Sequence, residues 1–225
     1  MSLAALSRRI TEFGFNLLGS DFALDARPHV VNQLSGTRST LMWVRDDPDA
    51  SLIIDDPARI MDYLSLLERK EYSFLLRDGA IVQISYTFEE NVIDRHRLVY
   101  YPCPFSIDFE LMQDFDASLS EMINEVYLGD LENSIALKSP IRFDYAPDAM
   151  ADYHPASHIT FNEQTCRIPV RSPMRFDQFM RFILENFYPD VLADEGVSQA
   201  ILNEHDNECL SDHDRGRMHL TWRNA

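Results

Sequence analysis

Two short strings in this chain share one pattern. His158-Ile159-Thr160-Phe161 and His219-Leu220-Thr221-Trp222 both read His-apolar-Thr-apolar. On a β-strand, residues two apart point to the same face, so each string presents an imidazole beside a hydroxyl. Two such strands, brought together, would set two histidines around one phosphate. One imidazole would act as general base and the other as general acid, while Thr160 and Thr221 donate hydrogen bonds to the phosphoryl oxygens. The competing reading is two ordinary strands with a polar face.

Other residues invite chemistry on similar terms. Arg142, Asp144 and Arg167 can share one sheet face. Arg142 or Arg167 would then hold a phosphate or carboxylate in a guanidinium fork. Alternatively, an Arg–Asp pair simply fixes strand register. Asp152, His154, His158 and Cys166 have metal-binding side chains. However, Pro155 spoils a helical i, i+4 chelate and there is no Cys pair, so no metal site is assigned. His154-Pro155 reads instead as a rigid turn, with the imidazole bonded to backbone.

His205, Cys209 and His213 recur every four residues on an expected helix, but together they span about 12 Å, too far for one ion. They read as a solvated face. Asp108, Glu110, Asp114 and Asp116 could collect Mg²⁺, yet no lysine follows at nuclease spacing: Lys138 comes six residues after Glu132. This segment reads as a solvated or partner-binding stripe. The chain has only seven glycines, with no GxGxxG and no Walker motif, and no cofactor is assigned.

The elements that must position these residues follow from periodicity. Leu3, Leu6, Ile10, Phe13 and Leu17 form one helical stripe, with Ser2 as N-cap and Gly19 as stop. Residues 22–39 are less regular and allow a short helix after Pro28. Thr40 to Arg45 reads as a strand, and Asp46 to Asp49 as a turn. Asp56-Pro57 would open a helix with Ile60, Tyr63, Leu64 and Leu67 on its face. After an Asp78-Gly79 turn, Val82 to Phe88 alternates as a strand, and Glu89-Glu90-Asn91 turns it into a second, Val92 to Tyr101.

Ser118 and Glu121 form a capping box for a helix with Leu119, Met122, Ile123 and Val126 on its inner face. Ile141, Phe143 and Tyr145 share one strand face, Arg142 and Asp144 the other. His158–Asn162 and Cys166–Val170 can pair as a hairpin. Ser172-Pro173 opens a helix closed by Pro189. An acidic helix over 196–212 and a strand from Met218 complete the chain. The expected class is α+β: a largely antiparallel sheet flanked by helices, in a single domain over 1–225. Its parts are a helix-rich 1–75, a sheet-forming 76–190, and an acidic helix and final strand over 191–225.

Composition narrows the function. The net charge is −17, and residues 46–137 alone hold 20 acidic against six basic residues. Such a field disfavours non-specific nucleic-acid binding and suits a partner protein with a basic surface, or simply keeps the chain soluble. No apolar run reaches the length of a membrane span, and no signal-peptide pattern opens the chain. The three cysteines, Cys103, Cys166 and Cys209, are widely spaced, which points to a reducing cytoplasm.

Two resemblances attach to these residues. The His-apolar-Thr-apolar doublet resembles the paired motifs of two-histidine phosphoesterases, which act without metal on RNA ends and cyclic phosphates. That likeness covers eight residues, and the duplicated lobes of those enzymes are not visible here. The second likeness rests on His154-Pro155-Ala156-Ser157-His158, Cys166-Arg167-Ile168-Pro169-Val170, Phe182-Ile183-Leu184-Glu185-Asn186-Phe187-Tyr188 and Tyr100-Tyr101-Pro102. These strings are similar to an uncharacterised bacterial family, domain of unknown function 2290, over roughly residues 75–190. This resemblance implies a bacterial cytoplasmic protein, with a place beside mobile-element or phage-defence genes. It carries no catalytic role. The resulting expectation is an accessory, protein-interaction protein, with the phosphoesterase as the alternative.

Overall fold

The computed structural model of the chain describes residues 3–46, 59–108, 118–163, 165–193, 197 and 206–221. In chain order the elements are α1 (Leu3–Gly19), β1 (Ala23–Ala26), β2 (His29–Ser35), β3 (Arg38–Trp43), α2 (Ile60–Glu68), β4 (Phe74–Leu76), β5 (Ile81–Glu89) and β6 (Val92–Tyr101). Then come α3 (Leu119–Met122), α4 (Leu131–Ser134), β7 (Ile141–Tyr145), β8 (Ser157–Phe161), β9 (Ile168–Pro169), α5 (Phe176–Phe187) and α6 (Asp212–Arg215). The class is α+β, built on one antiparallel sheet.

The β5–β6 hairpin is the spine. Its two-residue turn puts Glu90 at φ 49° and Asn91 at φ 67°. Two positive φ values in succession suit the twist of paired strands. From this hairpin the sheet runs β1-β4-β5-β6-β7-β8-β9, and every strand pair is antiparallel. β3 lies beside the far end of β5, with β2 outside it. Near its C-terminus the chain adds a parallel bridge, Val170 to Leu220.

β4 and β3 border the same edge of β5 end to end, which leaves backbone groups to satisfy between them. Ile84 N–H donates to Ser73 Oγ at 2.9 Å, and that hydroxyl also bonds His29 Nε2 at 3.0 Å. A buried donor is thereby paired by side chains where no strand reaches it.

Strand alternation gives the sheet two different faces. Val82, Ile84, Tyr86, Leu98, Tyr100 and Phe143 point to one side, where α1 and α5 pack with Ile10, Phe13, Phe176, Phe179 and Ile183. Ile81, Val99 and Tyr101 point to the other, beneath Tyr63, Leu67, Met122 and Ile123 of the α2–α3 side. That second core covers only one end of its face.

Several expectations need correction. Residues 23–26 and 29–35 are strands, with no helix after Pro28. The hairpin to β3, turned at Gly36 with φ 52°, recruits the second into the sheet, and β4 pairs with the first. The Ser118–Glu121 capping box is present, but Val126 is 36% exposed and Tyr127 is buried instead. Residues 123–127 form a π turn, whose extra residue rotates the inner face. α5 begins at Phe176, after Arg175, three residues beyond Ser172-Pro173. Of the expected acidic helix over 196–212, Val197 is helical, but residues 206–211 are not, and α6 starts at Asp212. Residues 196 and 198–205, with the Ser2 cap, the Asp46–Asp49 turn beyond Asp46 and the Asp56-Pro57 helix start, lie outside the described residues. The α2 face itself is as expected, with Tyr63, Leu64 and Leu67 buried.

Candidate functional site

The uncovered half of the second face is polar. Beyond Ile81, β5 continues with Gln83, Ser85 and Thr87 on the same side. β6 matches them with Arg97 and Arg95, β7 adds Arg142 and Asp144, and β8 adds His158 and Thr160. Register joins these into rows. Ser85, Arg97, Asp144 and His158 stand opposite one another across four strands. Gln83, Val99, Arg142 and Thr160 form the next row. Over this lattice lies a cleft of about 510 Å³, with Arg167, His154 and Trp43 at its margins.

Asp144 is the electrostatic centre. It accepts from Arg97 Nε at 3.0 Å and from Arg142 Nε at 2.5 Å. Burial opposes its charge, but Arg97 and Arg142 outweigh that and hold its pKa below the usual carboxylate value. Arg95 pairs with Asp148 at the rim. Among the described residues, no carboxylate and no side-chain hydrogen bond engages the Arg167 guanidinium. Four arginines, Arg95, Arg97, Arg142 and Arg167, thus line a cleft of an acidic chain beside one lining carboxylate, Asp144, which engages Arg97 and Arg142.

His158 is held in one orientation. Its Nδ1 lies 3.0 Å from Pro155 O. A carbonyl can only accept, so Nδ1 carries the proton and Nε2 keeps its lone pair. That Nε2 lies 3.9 Å from Asp144 Oδ2. Burial lowers the pKa of His158, against the pull of Asp144. His154, its ring T-shaped to His158 at 5.2 Å between centroids, is lowered by burial and then by Arg167. The turn that delivers both is closed by reciprocal backbone bonds between Ala151 and His154, with Tyr153 at φ 62°. The turn thus sits at Asp152-Tyr153, one step before the expected His154-Pro155, and the imidazole bonded to backbone is that of His158.

The fold brings Arg142, Arg167 and His158 to one cleft. Thr160 shares their face opposite Arg142, buried, and its hydroxyl has no hydrogen-bond partner among the described residues. His219 bonds Arg217 O through Nδ1 at 2.9 Å and does not line the cleft. Thr221 is exposed at the end of the described chain. Of the expected histidine row, His205 lies outside the described residues, Cys209 is in non-helical chain, and His213 packs on Tyr153. Among the described residues, no three His, Cys, Asp or Glu side chains are grouped to hold a metal ion.

Arg97 was not legible as a site residue. The alternation of Arg95, His96 and Arg97 signals a shared face for the two arginines, but the pairing to Asp144 needs a register between distant strands. Glu71 is a second such case. It is fully buried beside the cleft, bound by Arg45 Nε at 2.8 Å and by Trp43 Nε1 at 3.2 Å.

No curated protein and no solved structure matches the chain. A family model described as an uncharacterized conserved protein matches residues 26–222, wider than the 75–190 that the sequence strings suggest. With most of its length inside that match, the chain belongs to the DUF2290 family of uncharacterized conserved proteins.

Proposed function

We propose that this protein works by binding, and that the β5–β9 cleft takes an anionic group of its ligand. One observation carries this reading. Arg167 has no ion pair among the described residues, beside two arginines that share a single carboxylate, in a chain of net charge −17. With acids in such excess, an arginine in a cleft could readily be neutralised, and a local surplus of guanidinium favours a phosphate or carboxylate. The acid-rich 46–137 segment suits a partner protein with a basic face, in keeping with an accessory role in a bacterial cytoplasmic system.

The test is calorimetric titration with sulfate at low salt, where surface charge is least screened. Saturable binding is expected, weakened about tenfold or more in Arg142→Ala and in Arg167→Ala, the cost of one charged hydrogen bond. A wild-type protein that shows no saturable binding sinks the reading.

The metal-independent phosphoesterase remains a second reading on one observation: His158 presents an unprotonated Nε2 beside arginines. It calls for turnover of a 2′,3′-cyclic phosphate that is lost in both His158→Ala and His219→Ala. Turnover unaffected by His219→Ala would reject the paired-motif form of it.

A further inference from the structure

We infer that the cleft takes a phosphorylated sugar, alone or as part of a nucleotide. The inference rests on the anion-binding reading above and names the ligand's class. Size is the first argument. A volume of about 510 Å³ falls within the roughly 300–1,000 Å³ of small-molecule sites and is far more than one phosphate fills.

Polarity is the second. The cleft has two unlike ends. The β7–β9 end is cationic, with Arg142 and Arg167, and Arg97 leans into it through Asp144. The β5 end carries hydroxyls: Ser85 and Thr87 stand two residues apart on one face, both half-buried, opposite Arg97 and Arg95, whose charges are each paired with a carboxylate, Asp144 and Asp148. Among the described residues neither hydroxyl has a hydrogen-bond partner. A hydroxyl both donates and accepts, so a pair of them matches the adjacent hydroxyls of a sugar, which do the same.

Spacing is the third. Ser85 and Asp144 are two strands apart in one row, about 10 Å at the usual spacing of neighbouring strands. With a side chain reaching inward from each end, that separation accommodates a phosphate at the arginines and a sugar ring at the hydroxyls. A simple dicarboxylate would use the β5 hydroxyls only as donors, where a sugar uses them both ways. A bare phosphate would leave most of the cleft to water.

The test compares inorganic phosphate, ribose, ribose 5-phosphate and AMP by calorimetry on the full chain. Ribose 5-phosphate and AMP are expected to bind at least tenfold more tightly than phosphate, and ribose alone weakly or not at all. In a Ser85→Ala/Thr87→Val double variant, ribose 5-phosphate should fall to the affinity of phosphate, while phosphate itself binds as before. The unchanged phosphate affinity reports that the variant is folded. If wild type binds phosphate as tightly as both sugar phosphates, this inference is overturned and the anion reading stands. If phosphate, ribose 5-phosphate and AMP all fail to bind, both fall.

Discussion

His158 Nε2 stands 3.9 Å from Asp144 Oδ2, on neighbouring strands and in direct register. The gap is too long for a hydrogen bond but short enough for charge to matter. Both atoms are acceptors while His158 is neutral, so the pair gains its attraction only on protonation. Burial lowers the pKa of His158 and of His154, and a bound anion would raise both again. Binding would then take up protons, and affinity must rise as pH falls. Sulfate is the right probe, because its own charge is constant here. Its affinity should increase between pH 7 and pH 5, by up to about tenfold per unit for each proton taken up. His158→Gln should flatten the slope. A sulfate affinity that is level or falling over that range would refute the coupling.

Two other histidines, also lowered by burial, tie the stability of the fold to pH in the opposite direction. His29 and His96 are buried, and that burial lowers each from 6.5 to about 4. Both are neutral in the fold at pH 7: His29 Nε2 bonds Ser73, and His96 Nε2 accepts from Met174 N–H at 2.8 Å. In the unfolded chain they protonate near 6.5, so below that pH the unfolded state binds more protons. Stability contributed by each is complete above pH 6.5 and is lost as pH falls toward 4. At about 1.4 kcal/mol per pH unit, each costs about 2 kcal/mol between pH 7 and 5. Thermal melting should show a marked drop in Tm over that interval, and a smaller drop in a His29→Gln/His96→Gln double variant. Equal drops in the two proteins would show that other groups set the pH dependence.

Local patterns in the sequence carry the elements, and long-range register carries the site. The β5–β6 hairpin is legible because alternation and turn residues lie within about twenty positions, and the Ser118 cap because its box spans four. The split of Arg142 and Asp144 from Ile141 and Phe143 is legible for the same reason. The β1–β2 edge is not, since Ala23–Ala26 and His29–Ser35 take their strand form from pairing with β4 and β3. Arg97 joins Asp144 only because β6 and β7 pair in one particular register, and a shift by one residue would send either side chain to the opposite face. His219 shows the converse: a motif match four residues long says nothing of whether its strand reaches the cleft.

Thr160 offers the sharpest separation of fold from function. The residue is 3% exposed, and its hydroxyl finds no partner among the described residues. A buried hydroxyl without a hydrogen bond costs about 1–3 kcal/mol, and a valine fills the same space without one. Thr160→Val should therefore raise stability, by about 1 kcal/mol once repacking is counted, seen as a higher midpoint in urea unfolding. Arg142 stands directly opposite on β7, so an anion held there is the natural partner. The same variant should then bind sulfate several-fold more weakly, although Arg142 and Arg167 are untouched. Stability and affinity would move in opposite directions, which a merely structural threonine does not do. If Thr160→Val is destabilised with unchanged sulfate affinity, the hydroxyl is part of the fold and has no part in binding.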